Sequence, residues 1–379
     1  VMNLAGLYVH VPFCTSVCPY CDFAVTIAGA ERRASYLDAL TIEVDRHRGL
    51  GWRFDTVYVG GGTPSSLAVD QLASLVDSVT KGLDIAPGAV WHLEVNPEDV
   101  TSASASAWRE LGFAFASLGV QSLDDDALAF LGRRHTAADG CRAAERLLAA
   151  GFDTVSVDLI FGLPDQSADA WRDQLDAAVA LGVQHVSCYQ LTVHDGTVFG
   201  RRRDHGDLTE LDEDTQAELY LLTHEVLGAA GWSGYEVSNF AAAPDHRSRH
   251  NRKYWTHAPY LGLGPSAHSY DGRRRRWWNR RKVRLWSAAL AGGERPVDGE
   301  ETLTEAELLV ETVMLGLRTA DGVDLDAVRR RFGDELAAID SAAVDRLVAS
   351  GHLDRDGATI APTPLGMAVA EGLARSVLP

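Results

Sequence analysis

Short apolar runs alternate with amphipathic stretches through the first half of the chain. Residues 7–11, LYVHV, are apolar, β-branched or aromatic and predict a buried strand that Pro12 ends. At 31–47 the apolar positions fall at helical spacing, with Tyr36, Leu37, Leu40 and Val44 on one face. The alternation then repeats. Strands are predicted at 56–59, 90–95, 115–120, 155–161 and 185–191, with helices at 67–83, 102–111, 124–131, 137–149 and 168–181. Each strand reads as a short continuous apolar run, which predicts a parallel sheet buried on both faces. The polar residues that stand out, Glu94, Asn96, Gln121 and Asp158, lie at or near strand C-termini. That end is the functional rim of a β/α barrel. Six units rather than eight predict an incomplete (β/α)6 barrel of the TIM type, open on one side.

Beyond 291–299, AGGERPVDG, the pattern changes. Helices are predicted at 303–317, 325–332 and 339–350. A β-pair follows in HLDRDGATIAP with Asp-Gly at its turn, then a helix at 363–377 capped by Thr363 with Pro364 in its first position. That order predicts a C-terminal winged-helix-like α+β domain. A DNA reader of this kind wants a basic recognition helix, and DSAAVDRLVAS carries two Asp and one Arg. Docking or a lid is therefore expected of it, and no nucleic acid. The expected division is a core barrel over 1–235, a barrel-edge region over 236–298 and the C-terminal domain over 299–379. RRRDH at 201–205 reads as a loop.

Composition narrows the classes. With 46% hydrophobic and 23% charged residues among 379, the chain is globular, with room for a large domain and a smaller one. A formal charge of −18 disfavours nonspecific nucleic-acid binding by the surface as a whole. Five cysteines, three of them clustered, fit a reducing compartment. No apolar run reaches membrane-spanning length, the N-terminus shows no basic-then-apolar signal, and the cysteine motif begins close to residue 1, so a cytoplasmic protein is expected.

The clustered thiols, Cys14, Cys18 and Cys21, follow the first predicted strand on one tight loop. Spacings of four and three let them face a common point, as ligands of zinc or of an iron–sulfur cluster do. Structural zinc wants four ligands and would here enlist His10 or Asp22, while disulfide pairing would leave an odd thiol. A cubane held by three cysteines keeps one iron open to an outside ligand. Cys141, in a predicted helix, and Cys188, in a predicted strand, read as small buried hydrophobes.

CxxxCxxC with Tyr20 before the last cysteine resembles the signature of the radical S-adenosylmethionine (SAM) proteins. In that family the amino and carboxylate groups of SAM close the open iron, and the reduced cluster cleaves SAM to a 5′-deoxyadenosyl radical. Further segments follow in order between residues 7 and 270: YVHVPFC, GGGTPS, EVNP, GVQS, LGRRHT and DLIFGLPDQ. Together they resemble the oxygen-independent coproporphyrinogen III dehydrogenase-like subfamily. The resemblance implies that Cys14, Cys18 and Cys21 bind a 4Fe-4S cluster. It also implies that Tyr8, Tyr20, Gly61, Gly62, Thr63, Glu94, Gln121, Arg133 and Asp158 contact SAM. The glycines at 60–62 permit positive φ and close approach, so their amides can grip a charged ligand, or they only make a tight turn. Glu94 can pair with the SAM ammonium, Gln121 with a ribose or carboxylate, and Arg133 with the SAM carboxylate. Asp158, inside an apolar strand, needs a partner, which a ribose hydroxyl or Arg133 would supply.

Two features separate branches of that subfamily. The dehydrogenases carry a fourth cysteine two residues after the third, and a long N-terminal extension. Here that position is Phe23 and the extension is missing, so dehydrogenase activity is not expected. YEVSNFA at 235–241, HNRKYW at 250–255 and GLGPSAHSY at 262–270 resemble the heme-chaperone (HemW) branch, in which the HNxxYW segment is implicated in heme binding. His250 offers an imidazole to iron, while Tyr254 and Trp255 offer flat apolar area. The alternative is that His250 and Asn251 hydrogen-bond a loop over the barrel mouth. His268 is a second candidate ligand. His10 reads as a core residue or an orienter near the cluster, and His185 and His194 as structural. RRRRWWNRRKVRLW at 273–286 suits propionates and a porphyrin face, a membrane surface, single-stranded nucleic acid, or a solvated basic edge.

The function the resemblance implies is a heme chaperone that binds a 4Fe-4S cluster, SAM and heme and delivers heme to client hemoproteins, those of the respiratory chain among them. Peripheral membrane contact and a homodimer are compatible with it. The alternative is a radical SAM enzyme acting on a porphyrinogen or a related small molecule by hydrogen abstraction or methyl transfer.

Overall fold

The computed structural model describes residues 4–378. The barrel elements run β1 (Ala5–Val11), α1 (Ala30–Arg46), β2 (Arg53–Gly61), α2 (Val69–Gly82), β3 (Asp84–Val95), α3 (Ser102–Glu110), β4 (Phe113–Gln121), α4 (Asp125–Phe130), α5 (Ala137–Ala149), β5 (Thr154–Phe161), α6 (Ala168–Ala180) and β6 (His185–Gln190). Then come α7 (Val198–Asp204), α8 (Glu213–Ala229), β7 (Ser233–Gly234), β8 (Asn239–Ala241), α9 (Arg249–Trp255), β9 (Tyr260–Leu263), β10 (His268–Tyr270), β11 (Arg275–Asn279), α10 (Val283–Ala291) and β12 (Val297–Thr302). Strands β1 to β6 are parallel neighbours in sequence order. The short antiparallel strands β8 and β7 continue one edge beyond β6. On the other side β9 pairs in parallel with β1 and leads to an antiparallel extension through β10 and β11 to β12. The sheet therefore ends in β12 and β7 and does not close on itself.

The strands are not apolar on both faces. Leu7, Val9, Val57, Val59, Leu93, Leu118, Val155, Val157 and Val186 are fully buried at alternate positions. Between them lie Tyr8, Tyr58, His92, Glu94, Ser117, Ser156, Asp158, His185 and Ser187. Because successive side chains point to opposite faces, one set packs beneath the helices and the other fills the barrel interior. Register stacks the inner set: Glu94 is opposite Ser117, Ser117 opposite Ser156, and Ser156 opposite His185. The interior is thus a column of polar and aromatic groups inside an aliphatic shell.

Helix α9 closes the N-terminal end of this column. His250 is 1% exposed, with Nδ1 at 3.0 Å from Thr56 Oγ1 and Nε2 at 2.9 Å from Tyr254 Oη. Lys253 and Arg249 both pair with Asp55, at 2.6 and 2.9 Å. Gly6 is required here, since a Cβ on it would stand 2.9 Å from the Lys253 side chain and 3.2 Å from the His250 ring. The HNRKYW segment therefore lies at the end of the barrel opposite the thiols, not over its mouth.

RRRDH, read from sequence as a loop, lies largely in α7. Thr197 caps that helix through Gly200 N, Arg202 sits over the Phe130 and Phe199 rings, and Arg203 pairs with Asp195 and Asp204. These contacts hold the charges on a helix surface. The middle of the basic stretch at 273–286 is β11, where Arg275 and Arg276 pair with Glu300 and Glu301 of the facing strand β12, and its end opens α10. The boundary expected at 299 falls inside β12.

Residues 305–377 form a second core. It comprises α11 (Glu305–Gly316), β13 (Val323–Asp324), α12 (Leu325–Phe332), α13 (Ser341–Ala349), the hairpin β14 (Leu353–Asp356) and β15 (Thr359–Pro362), α14 (Pro364–Ala368) and α15 (Ala370–Val377). Leu309, Val313, Val328, Val344, Leu353, Ile360, Leu373 and Val377 pack together in it. Three helices and a hairpin wing make the winged-helix-like order that the pattern predicts, with the last helix broken in two at Val369. No helix among the described residues is long and apolar enough to cross a membrane.

One carboxylate ties the sheet extension to the helices. Glu43 of α1, 1% exposed, accepts from Gly264 N at 2.7 Å, Asn279 Nδ2 at 2.6 Å and Trp286 Nε1 at 3.2 Å. Burial raises its pKa from 4.5 to about 7 against the pull of those donors. Glu43→Ala strands three buried donors and is expected to lower stability by about 3 kcal/mol, read in a thermal or denaturant melt. The folded state holds a proton on Glu43 up to about pH 7, whereas the unfolded chain releases it near 4.5. Wild-type stability relative to Glu43→Gln is therefore highest below pH 4.5 and falls as pH rises to 7.

Candidate functional site

The loop after β1 carries Cys14, Cys18 and Cys21, all half-buried. Backbone bonds fold it: Thr26 N to Pro12 O at 2.7 Å, Cys14 N to Thr26 O at 3.1 Å and Cys21 N to Cys18 O at 3.1 Å. Side chains then strap it down. His10 Nε2 lies 3.0 Å from the Ala24 carbonyl, which only accepts, so Nε2 carries the proton and Nδ1 accepts from Tyr8 Oη at 3.0 Å. Arg281 donates to Asp22 O at 2.7 Å, and Phe199 N to Pro19 O at 2.9 Å. His10 is therefore an orienter with both nitrogens committed. Asp22 is exposed, with His194 3.8 Å away. Neither completes a four-ligand set with the thiols, and among the described residues no three His, Cys, Asp or Glu side chains converge on one ion. A cubane does not need that convergence, because each thiolate takes its own iron.

Two thiols have donors behind them. Thr63 Oγ1 points at Cys14 Sγ from 3.4 Å, and Arg133 Nη1 at Cys18 Sγ from 3.6 Å. Arg133 also donates to Asn96 Oδ1 at 2.9 Å and Gly119 O at 2.8 Å, and Asn96 Nδ2 reaches Thr63 at 3.3 Å. The chain Arg133–Asn96–Thr63 thus joins two of the sulfurs from the rear, in the way outer partners orient metal ligands. Burial raises the pKa of the Cys14 and Cys21 thiols. Sequence could not place Asn96 in this network, since EVNP alone gives no partner.

The thiols open on a cavity of about 470 Å3 that is also lined by Tyr20, Gly61, Gly62, Thr63, Glu94, Gln121, Arg133 and Asp158. Eleven of the fourteen expected site residues, the three thiols included, line this one cavity. Tyr8 is set back beneath them, its hydroxyl on His10. His250 and Tyr254 are at the far end of the barrel, where each satisfies the other. Both ring nitrogens of His250 are occupied and almost none of its surface is exposed, so in this structure it stands apart from the thiol cavity and offers no free nitrogen. Among the other histidines His268 is exposed and lies against Trp278, ring centroids 5.8 Å apart. A larger cleft of about 810 Å3 lies among α4, α6 and α7 but contains neither thiol nor imidazole.

Glu94 and Asp158 give the cavity its charge logic. Glu94 accepts from Tyr58 Oη and Gly61 N, both at 2.8 Å, and Asp158 accepts from Ser117 Oγ at 2.8 Å and, more weakly, Ser156 Oγ at 3.4 Å. Neither meets a cation among the described residues. Burial raises both carboxyls, Glu94 to about 7, with Asp158 adding to the effect on Glu94. Arg133, which sequence offered as a partner for Asp158, is spent on Cys18 and Asn96 instead. The glycine amides are also spent: Gly61 N on Glu94, and Gly62 N on Val11 O at 2.8 Å. Gly62 is needed because a Cβ would lie 2.8 Å from Phe13 O. The run gives close approach to β1 and not free donors. Gln121 holds a left-handed φ of 70°, a strained backbone for a residue with a side chain, at the end of β4. Two carboxyls without a cation, hydroxyls and an amide beside the three thiols suit a ligand with both a cation and a polyol.

Comparison with known proteins follows this geometry. Residues 8–178 match the family model described as the radical SAM superfamily, and 303–369 match the HemN C-terminal domain. The chain is 37% identical over 390 residues to the heme chaperone HemW of Mycobacterium tuberculosis, covering 98% of this chain and 94% of that protein. It is 32% identical over 369 residues to the heme chaperone HemW of Bacillus subtilis, covering 96% of each. To the mouse mitochondrial radical S-adenosyl methionine domain-containing protein 1 it is 34% identical, covering 99% and 87%. Among solved structures, coproporphyrinogen III oxidase (HemN) from Escherichia coli superposes with a TM-score of 0.85 over 99% of this chain and 90% of that one, at 21% identity. That likeness speaks for the fold.

Proposed function

Because the chain belongs to the radical SAM family and to its HemW branch, we propose that it is a heme chaperone. In this reading it holds a 4Fe-4S cluster and SAM at the barrel rim, binds heme, and passes heme to client hemoproteins, those of the respiratory chain included. Cys14, Cys18 and Cys21 hold three irons. Thr63 and Arg133 orient two of the sulfurs. Glu94 receives the SAM ammonium, and Asp158 and Gln121 receive hydroxyls. Tyr20 and the flat backbone of Gly61 and Gly62 supply surface, while Tyr8 steadies His10 and through it the loop. When bound, the cluster supplies one-electron chemistry beside the sulfonium. The fit is supported by the two buried carboxyls that lack a cation.

The observation that carries the heme reading is the end-to-end likeness, at 37% identity, to a protein named as a heme chaperone. Titrating hemin into the anaerobically purified chain is expected to give a saturable Soret shift, and no saturable binding would end the reading. Substrate-dependent 5′-deoxyadenosine from a porphyrinogen would favour the enzymatic alternative. His250→Ala is expected to leave the Soret shift intact. It removes the partner of the Thr56 and Tyr254 hydroxyls inside the barrel and lowers stability by roughly 2–3 kcal/mol, measured by thermal unfolding.

A further inference from the structure

A second cleft, of about 550 Å3, lies on the other side of Phe23 from the thiol cavity, and Phe23 lines both. Its walls are loop residues 23–26, the first half of α1 and the start of α10. Phe23 is 68% exposed at its lip. Val25 and Val283 contribute half-buried apolar surface over the fully buried rings of Phe13 and Tyr36. Ile27 and Leu285, also exposed, stand near by in sequence. The rim carries Arg32, Arg281, Lys282 and Arg284, and the lining contains no carboxylate. The neighbouring arginines Arg274, Arg275, Arg276 and Arg280 are each paired with a glutamate. The four on the cleft have no ion-pair partner among the described residues. In a chain of net charge −18, four unpaired cations around one apolar cleft are a local inversion of the surface.

We infer that this cleft is where heme is held. The inference rests on the heme-chaperone reading and names its site. Heme is a flat apolar ring with two carboxylates on one edge. The cleft offers Phe23, Val25 and Val283 to the ring and cations to the carboxylates, at a size within the roughly 300–1,000 Å3 of small-molecule clefts. Its lining holds no histidine, cysteine or methionine. Ring and carboxylates are therefore the grip, and the iron keeps its axial positions for water or for a ligand of the client. A carrier that must let go gains from that arrangement.

The test uses the full chain and hemin, with hemin dimethyl ester as the probe lacking carboxylates. Lys282→Gln/Arg284→Gln removes two charges that make no hydrogen bond to the loop, and is expected to weaken hemin binding roughly tenfold. Phe23→Ala is expected to weaken both probes by a similar factor. The ester should bind wild type more weakly than hemin, and the double variant should no longer distinguish the two. Iron and sulfide content should stay at the wild-type level in all variants, and bound ferric heme should give a high-spin spectrum. If wild type binds hemin but the cleft variants bind it unchanged, the site is wrong while the chaperone reading stands. A low-spin spectrum lost in His268→Ala would likewise move the site to His268. If wild type fails to bind hemin, both fall.

Discussion

Cys18→Ala, prepared without oxygen, is expected to fold and to hold background iron and sulfide where wild type holds about four of each per chain. The broad charge-transfer absorption of the cluster should vanish with them. Cys14→Ala and Cys21→Ala should do the same, because three corners are the minimum the loop supplies. The fold should survive, since the loop is bound by its own contacts: Thr26 N to Pro12 O, His10 to Ala24 O, Arg281 to Asp22 O and Phe199 N to Pro19 O. Far-ultraviolet circular dichroism and the unfolding temperature of the metal-free wild type are the controls. Cysteine variants that retain wild-type iron and sulfide would remove the thiols from the site, and the roles given to Glu94 and Asp158 with them.

The second large effect concerns Glu94. Glu94→Gln is expected to weaken SAM binding by roughly 10–100-fold, the loss of one charge-assisted hydrogen bond to an ammonium. Anaerobic calorimetry on the cluster-loaded protein measures it without reference to turnover. The pH dependence carries a sign. Burial holds the Glu94 carboxyl at about 7 in the free protein, so below that pH a proton must leave before the cation can pair. Affinity should rise with pH by up to tenfold per unit below about 7 and level off above. In Glu94→Gln the contribution of this group disappears and only that of Asp158 is left. Stability should move the other way: burying this carboxyl costs the folded state above pH 4.5, so the amide should melt higher at neutral pH.

The six parallel strands and their helices were legible because their outward residues, such as Val57, Leu93, Leu118 and Val157, are aliphatic at nearly every position a helix covers. The inner row was not. His92, Ser117, Ser156 and Ser187 each appear once between apolar neighbours, so a run that alternates reads as continuous. The thiols, Glu94 and Gln121 were legible as chemistry at strand ends. Their partners were not, since partner choice depends on which strands are adjacent. Arg133 turns to Cys18 and Asn96, and Asp158 is met by serines on its own and the adjoining strand. HNRKYW announces an imidazole and two rings but not which end of the barrel they reach. The extension β9 to β12 escaped because its strands are short and its charges are paired across strands, which looks like a basic loop until β12 lies beside it.

The knot at Glu43 bears on how tightly a guest can be selected. Helices α1 and α10 form two walls of the cleft beside Phe23, and Glu43 with the Tyr36–Trp286 contact, ring centroids 5.4 Å apart, locks one to the other. Jaws fixed in this way cannot spread for a thicker molecule or shut on a thinner one. Admission is then a matter of thickness and edge charge, and little entropy is lost on entry because the walls have already surrendered their freedom in folding.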